Sequence, residues 1–387
     1  MKDINTARIS IVEARIRITK QYPLDKSFSD STMGPFHTFS LATIYLRDSD
    51  GFEGEVYVYG SGLKVLTTKL LPILLNNTDC LYTEIFNKMY WAIRNDGFRS
   101  TEAILLGQVD HAIHDVLSRR ANKPLHRYWG ADRDWAHVYG SGLGTNYSLE
   151  ELEKEAASFV EKGYDTVKMK IGKDAGTQVA EDVKRVQLVR KTLGDNVKLA
   201  LDANQTFVVE QALDFANRVA DQNITWFEEP INAAAFVSIR ELCEKSPIDI
   251  SYGESERTVH SFPSLLESGV KHFQPILGSM NIREWFQVAK MAEENKIFFS
   301  SGGISYLAAQ GVAACHENNY TEILNPIIES CVPYLSLFPT INEGRFYLPT
   351  EVGSSVRFNW EKVEKEGLLE FDKIYTKADL QECVIVN

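Results

Sequence analysis

The chain predicts an α/β fold, a parallel (β/α) barrel preceded by a smaller α+β unit, on three observations. At 387 residues with 44% apolar content, it is too long for one small domain and rich enough for a large core. From about Trp135 onward, eight short apolar runs recur every 22 to 32 residues with amphipathic stretches between them. The first third has another texture: alternating runs give way to helical periodicity.

Residues 1 to about 60 read as strands. Ile9–Ile18 is the first and Phe39–Leu46 the second; a turn at Asp50-Gly51 then returns the chain through Glu53–Tyr59. An Asp-Gly turn between alternating runs is a hairpin signal. A polar segment, Ser27–Thr38, with Gly34-Pro35 inside it, reads as a surface loop of the kind that often carries ligand contacts. From about Lys64 to Lys123 the period is helical and stops at Asn122-Lys123-Pro124.

The repeated strands are read at His137–Gly140, Thr166–Ile171, Lys198–Leu201, Thr225–Phe227, Ile248–Tyr252, Lys271–Phe273, Lys296–Phe299 and Thr321–Leu324. Helices are read between them at Leu149–Glu161, Val179–Thr192, Gln211–Ala220 and Ile282–Glu294. The last segment, Phe346–Asn387, is expected to pack back on the first unit. A doubly wound open sheet is the alternative, but no Gly-rich phosphate fingerprint follows the first strand.

Composition narrows the function. A net charge of −12 with no basic stripe argues against a nucleic-acid partner. Cys80, Cys243, Cys315, Cys331 and Cys383 are scattered and never form C-x-x-C, which points to reduced thiols in a cytoplasmic protein. The N-terminus lacks the apolar core of a signal peptide. No stretch approaches a membrane span, so no membrane partner is expected.

In a barrel, chemistry sits where the strands end. Three acids close three successive strands, Asp202, Glu228 and Glu254, spaced 26 and 26 residues apart. Converging carboxylates repel one another, and a hard divalent cation, with Mg²⁺ favoured, would resolve the conflict. The structural alternative for each acid is a helix cap or a lone rim charge. One strand earlier, Lys168 and Lys170 stand two apart and share a face. Like charges depress each other's pKa, so one lysine is expected to serve as a neutral base near pH 7. The alternative there is a pair of lysines snorkelling from an outward polar face.

Together, the K-x-K strand, Asp202-Ala203-Asn204, Glu228-Glu229-Pro230 and Gly253-Glu254 resemble the barrel motifs of the enolase superfamily. The likeness is greatest to its mandelate racemase and acid-sugar dehydratase branch. Gly107–Asp115, Lys123-Pro124-Leu125 and Trp129-Gly130 resemble the helix that leads from that family's capping domain to its barrel, so the resemblance covers nearly the whole chain. It implies a (β/α)7β-type TIM barrel over 135–345, an N-terminal α+β capping domain over 1–134, and a C-terminal segment, 346–387, completing the cap. It also implies Mg²⁺ on Asp202, Glu228 and Glu254, chelating a small carboxylate substrate whose α-proton is abstracted. Lys170 would be the base and Lys168 its electrostatic partner. Asn204 would lie by the metal or the carboxylate. Glu322, or else Glu329, would be the last-strand acid that hydrogen-bonds substrate. His37, in the loop over the barrel mouth, is a further candidate for substrate contact. Proteins of this family are often assemblies, so a homo-oligomer is expected.

The pattern breaks at one place. The racemases of this branch carry a second base, a His closing strand seven backed by an Asp closing strand six. Here those positions read Gly302 and Ile276. A lysine is absent there too. Racemisation needs a base on each face, whereas syn elimination needs one acid/base. Dehydration of a hydroxy acid to a 2-keto-3-deoxy product is therefore the leading expectation. A racemase or other isomerase with an unrecognised second group, Tyr306 being one candidate, is the alternative; a non-catalytic carboxylate-binding barrel is the third. His111, His114, Cys315 and His316 read as structural, and the aromatics Phe36, Phe39, Tyr57 and Tyr59 as core or rim.

Overall fold

The computed structural model describes residues 4–58, 60–303 and 305–380. Tyr59 and Cys383 lie outside them. Four antiparallel strands form the capping sheet, in the order Leu369–Tyr375, Ile11–Thr19, Ala42–Asp48, Glu53–Tyr57. A bulge between Ile11 and Glu13 resets the two-residue alternation, so Ile11, Ala14 and Ile16 face the core. The expected turn forms at Asp48–Phe52. Asp48 Oδ1 accepts the Asp50 and Phe52 N–H groups at 2.9 Å each, and Gly51 takes a φ of +85°. The strand from the C-terminal segment lies on the sheet's outer edge, where Arg15 grips Asp372 through two nitrogens.

The segment expected as a loop at Ser27–Thr38 is partly a hairpin. Tyr22–Phe28 pairs antiparallel with Phe36–Phe39, leaving only residues 29–35 as connection. The reason is tertiary. Tyr22, Leu24 and Phe28 are buried, and their strand packs on the helix Asn325–Cys331 that follows the last barrel strand. Local alternation is too weak to announce that partner.

The connecting helix, Thr101–Arg120, begins at Ser100, whose hydroxyl accepts the Ala103 N–H. It ends in Arg119 and Arg120, which suit the negative end of the helix dipole. Sheet and barrel press on it from opposite sides, and two glycines permit the approach. A Cβ on Gly54 would meet the Ala112 carbonyl oxygen at 2.5 Å, and one on Gly107 would meet the Gly278 and Met280 carbonyl oxygens at 2.9 Å. Polar residues inside this sandwich form a relay. Trp129 Nε1 donates to His114 Nδ1 at 3.0 Å, His114 Nε2 lies 3.2 Å from Tyr82 Oη, and Tyr82 donates to Asp110 at 2.6 Å. Asp110 also accepts the Ile282 N–H of a barrel helix at 2.9 Å. His111 is buried beside Trp129 with both ring nitrogens unpartnered.

Eight parallel strands close the barrel: Trp135–Gly142, Thr166–Lys170, Lys198–Asp202, Ile224–Glu228, Ile250–Tyr252, His272–Phe273, Phe298–Ser301 and Tyr320–Leu324. The last pairs with the first, Glu322 opposite Tyr139. All eight coincide with expected strands to within two residues, and Leu149–Glu161 and Ile282–Glu294 are helices as expected. Among the described residues no helix is long and apolar enough to cross a membrane.

The buried imidazoles make acid stability a test of this packing. Burial, with His114 adding to it, lowers His111 to about 3; burial and Arg283 do the same to His114. Groups depressed from 6.5 stabilise fully above that pH and lose their contribution as pH falls toward 3. Asp110, raised by burial to about 6, acts in the opposite sense between 3.8 and 6. Two imidazoles outweigh one carboxyl. His111→Phe should therefore flatten the fall in stability between pH 6.5 and 4 by roughly 1.4 kcal/mol per pH unit, measured by urea unfolding. An unchanged slope would contradict a buried neutral ring.

Candidate active site

The strand period sorts the interior side chains. In the second strand Val167 and Met169 point to the helices, while Lys168 and Lys170 point into the barrel. Register sets Asp202 beside both Lys170 and Glu228. Glu254 stands two residues beyond its strand, after Gly253. That glycine has a φ of +144°, and a Cβ there would come within 2.8 Å of the Gln274 nitrogen. Glu322 enters from the last strand.

Lys168 is the hub. Its Nζ lies 2.8 Å from both Glu228 oxygens, 3.1 Å from Glu322 Oε1 and 3.4 Å from Asp202 Oδ2. Lys170 donates to Asp202 Oδ2. Trp226 Nε1 donates to Glu228 Oε2 at 3.3 Å, and Asn204 Nδ2 lies 3.5 Å from Glu254 Oε1. Lys168, Lys170, Asp202, Glu228 and Glu322 are all buried.

Charge is unbalanced here. Among the described residues, Asp202, Glu228, Glu254 and Glu322 interact with the ammonium groups of Lys168 and Lys170, while Glu229 adds a fifth carboxyl beside Asp202 and Glu228. Burial and then Asp202 push Glu228 up to about 8, and burial with Glu229 and Asp202 push Glu254 to about 8. Glu229 rises to about 7, chiefly through burial. Asp202 goes the other way: burial would raise it, but Lys170 and Lys168 together hold it below its ordinary value. Burial works to lower both lysines, yet the acids outweigh it and raise them. This corrects the expectation of a lysine neutralised by its neighbour, because Lys168 repels Lys170 less than Asp202 attracts it.

The three strand-closing acids occupy adjacent strand ends, but the lysines draw the carboxylates of Asp202 and Glu228, and Glu254 lies by Asn204. Among the described residues no group of three or more His, Cys, Asp or Glu is set to hold a metal as the side chains stand. The donor chemistry still fits a divalent cation. The donors are hard oxygens with a surplus of negative charge, and Asn204 Oδ1 beside them is buried without a partner.

The other candidates separate. Glu329 is on the outer helix, 3.0 Å from Lys162, so Glu322 is the last-strand acid that faces inward. His37 is exposed on the strand Phe36–Phe39, with no hydrogen bond to the site. The ring of Tyr306 packs against Phe338 and Phe346, not among the acids. A side chain at Gly302 would start 3.2 Å from Glu322 Oε2 and 3.8 Å from Glu254 Oε2 and Ile276 Cγ1. The gap left by the absent histidine thus opens on the acids and is walled by Ile276.

Sequence reading missed Gln205 and Trp226. Gln205 Nε2 donates to Glu229 Oε2 and Ser255 Oγ at 2.8 Å each, while its Oε1 accepts the Ala233 N–H at 2.8 Å. It braces the loops after strands three, four and five. Asn204, Gln205 and Glu229 all hold left-handed φ values, 42°, 65° and 36°, a strain tolerated where function demands it. Trp226 carried a usable signal, its two-residue offset from Glu228.

The family profile described as "Enolase C-terminal domain-like" matches residues 151–363. A 3,6-anhydro-alpha-L-galactonate cycloisomerase from Streptomyces coelicolor is 27% identical over 88% of this chain and 95% of its own. An arabinonate dehydratase from Saccharolobus solfataricus is 27% identical over 74% of this chain and 80% of its own. A solved racemase structure from Streptomyces coelicolor, with bound magnesium, superposes with a TM-score of 0.84 at 26% identity. It covers 93% of this chain and 100% of its own.

Breaking the hub tests the charge balance. Lys168→Met should destabilise the metal-free protein by about 3–5 kcal/mol at neutral pH, since it strands buried carboxylates. Adding Glu228→Gln should restore part of the loss in urea titrations. Equal stability of Lys168→Met and the parent would show that the ammonium does not hold these acids together.

Proposed function

This chain belongs to the enolase superfamily, in its mandelate racemase branch, and we propose that it is a Mg²⁺-dependent acid-sugar dehydratase. The observation that carries the reading is the one-sidedness of the site. Lys170 and Asp202 stand on one face, and Gly302 and Ile276 occupy the other. The relatives include dehydratases, cycloisomerases, racemases and epimerases, and structural neighbours are solved with bound magnesium, which supports the metal in this family.

Asp202, Glu228 and Glu254 would hold Mg²⁺, which supplies Lewis-acid stabilisation of the charge that grows on the substrate carboxylate. Lys170 must enter the cycle as the free amine. Asp202 opposes this by its attraction for the ammonium, and sharing the Asp202 charge with a bound cation would weaken that hold. Nζ of Lys170 takes the α-proton; the C–H electron pair becomes the enolate π bond and then the new C=C as the β C–O bond breaks. The same ammonium returns its proton to the departing oxygen, so water leaves from the face that lost hydrogen. The enol product becomes a 2-keto-3-deoxy acid. Lys168 keeps positive charge beside the forming enolate and holds Glu228 and Glu322 in place. Asn204 faces the metal acids, and Glu322 Oε2 lies beside the Gly302 gap, where it would meet substrate. The mechanism gives the exposed His37 no role.

Glu322 Oε2 also favours a second reading. It is an oxygen beside the Gly302 gap, on the face where a racemase or other isomerase would need its second acid. A pure carboxylate-binding barrel is the third reading.

Turnover separates them. With Mg²⁺ and a panel of hydroxy acids, the protein should yield 2-keto acids. Lys170→Ala should lower kcat by about 10³-fold or more while Mg²⁺ still raises Tm. In D₂O, remaining substrate should keep its configuration at Cα. Deuterium at Cα with inverted configuration would establish the isomerase instead, and undiminished activity of Lys170→Ala would end the lysine assignment.

A further inference from the structure

Behind Ile276, on the capping side of the acids, lies a small cavity of about 60 Å³. Val56 and Tyr57 of the capping sheet, Gln108 of the connecting helix, and Ile276, Ser279 and Leu307 of the barrel line it. Ile276 joins the two spaces. Its Cγ1 lies 3.8 Å from a side chain built at Gly302, which faces Glu322 and Glu254; its Cγ2 lies 2.7 Å from one built at Gly303, which lines the cavity. Among the described residues of the lining there is no charged side chain.

The cations nearby are engaged elsewhere. Lys168 and Lys170 are held by the acids, and Arg257 donates to the main-chain oxygens of Glu254 and Glu256. Another opening is an exposed groove of about 400 Å³ between residues 29–35 and the barrel loops, and a third space, sharing Tyr57 and Leu307 with the first cavity, is lined by apolar and aromatic residues. The groove's charged lining residues are Asp30, Asp174 and Lys173, and Lys173 is paired with Glu181. In any of these spaces a second carboxylate would be desolvated without a free counter-charge or would meet acids. A hydroxyl or hydroxymethyl end would meet Gln108 and Ser279, which can donate and accept.

From this lining we infer that the substrate carries a single carboxylate and a neutral far end, an aldonate-type rather than an aldarate-type acid. The inference rests on the dehydratase reading but is tested apart from it. Matched pairs of acids that differ only in the far carbon, hydroxymethyl against carboxylate, are offered to the wild-type Mg²⁺-loaded protein. The expected result is a kcat/KM for 2-keto acid formation at least about 100-fold higher for the monoacid of a pair. A diacid consumed as well as its monoacid partner overturns the inference. Should no pair turn over, calorimetric binding decides. Tenfold tighter binding of monoacids sustains the inference and counts only against the elimination chemistry, whereas equal binding, tighter diacid binding or no binding refutes it. Gln108→Arg places a guanidinium in the lining and should move the ratio toward the diacid by tenfold or more. If that variant unfolds, the wild-type ratio stands as the test; if it folds and the ratio is unchanged, the cavity is not where the far end lies.

Discussion

The mouth of this barrel carries more negative charge than it can neutralise, and the rest of the structure is arranged around that imbalance. Lys168, with its Nζ within 3.4 Å of acids from strands three, four and eight, links parts of the barrel that are far apart in sequence. Two ammonium groups leave Glu228 and Glu254 with their charged forms disfavoured. Such a cluster is expensive in a buried site and would be replaced by apolar packing if stability alone mattered. Its presence is an argument for chemistry that needs a cation and a base side by side.

Holding that cluster requires rigid strand ends and a closed roof. Strand register aligns Lys170, Asp202 and Glu228 at one level, and Gln205 crosses the three loops above them. The roof comes from the capping sheet through the connecting helix, whose two faces are admitted so closely by Gly54 and Gly107. The buried relay from Trp129 to Asp110 fixes that helix against the barrel, Asp110 also accepting the Ile282 N–H. Arg99 adds a cross-domain ion pair to the buried Glu256, two residues beyond Glu254.

Sequence alone made the strand-end acids legible because they recur with the barrel's own repeat, and the lysine pair because two residues apart means one face. What stayed hidden depended on partners distant in the chain. The lysines' protonation is set by Asp202, 32 residues from Lys170, so adjacency of the two lysines misled. The hairpin at Tyr22–Phe39 owes its burial to a helix some 300 residues later. Glu322 and Glu329 are equally plausible on paper and differ only in which way the chain turns after the last strand. Gln205 carries no motif of its own, since its value lies in three loops meeting.

The two departures from the racemase pattern are best understood as one change. An aspartate at 276 would serve chiefly to orient and charge a histidine at 302; with the histidine gone, it would add a further anion to a mouth already short of cations. Ile276 removes that burden, and its methyl groups wall the gap that Gly302 leaves. On the proposed mechanism, a substrate seated against Lys170 would meet Ile276 across from it, with Glu322 Oε2 and Glu254 Oε2 at the edge of the gap. Among the described residues other than its chain neighbours, the atom nearest a side chain built at Gly302 is Glu322 Oε2, at 3.2 Å, and the other oxygen of that carboxylate lies 3.1 Å from Lys168 Nζ. An acid so placed can accept or donate a hydrogen bond, but its charge is anchored to the same ammonium that sits beside the base. On the proposed mechanism the two faces would be coupled electrostatically through Lys168, which would favour proton transfer on the side where Lys170 stands.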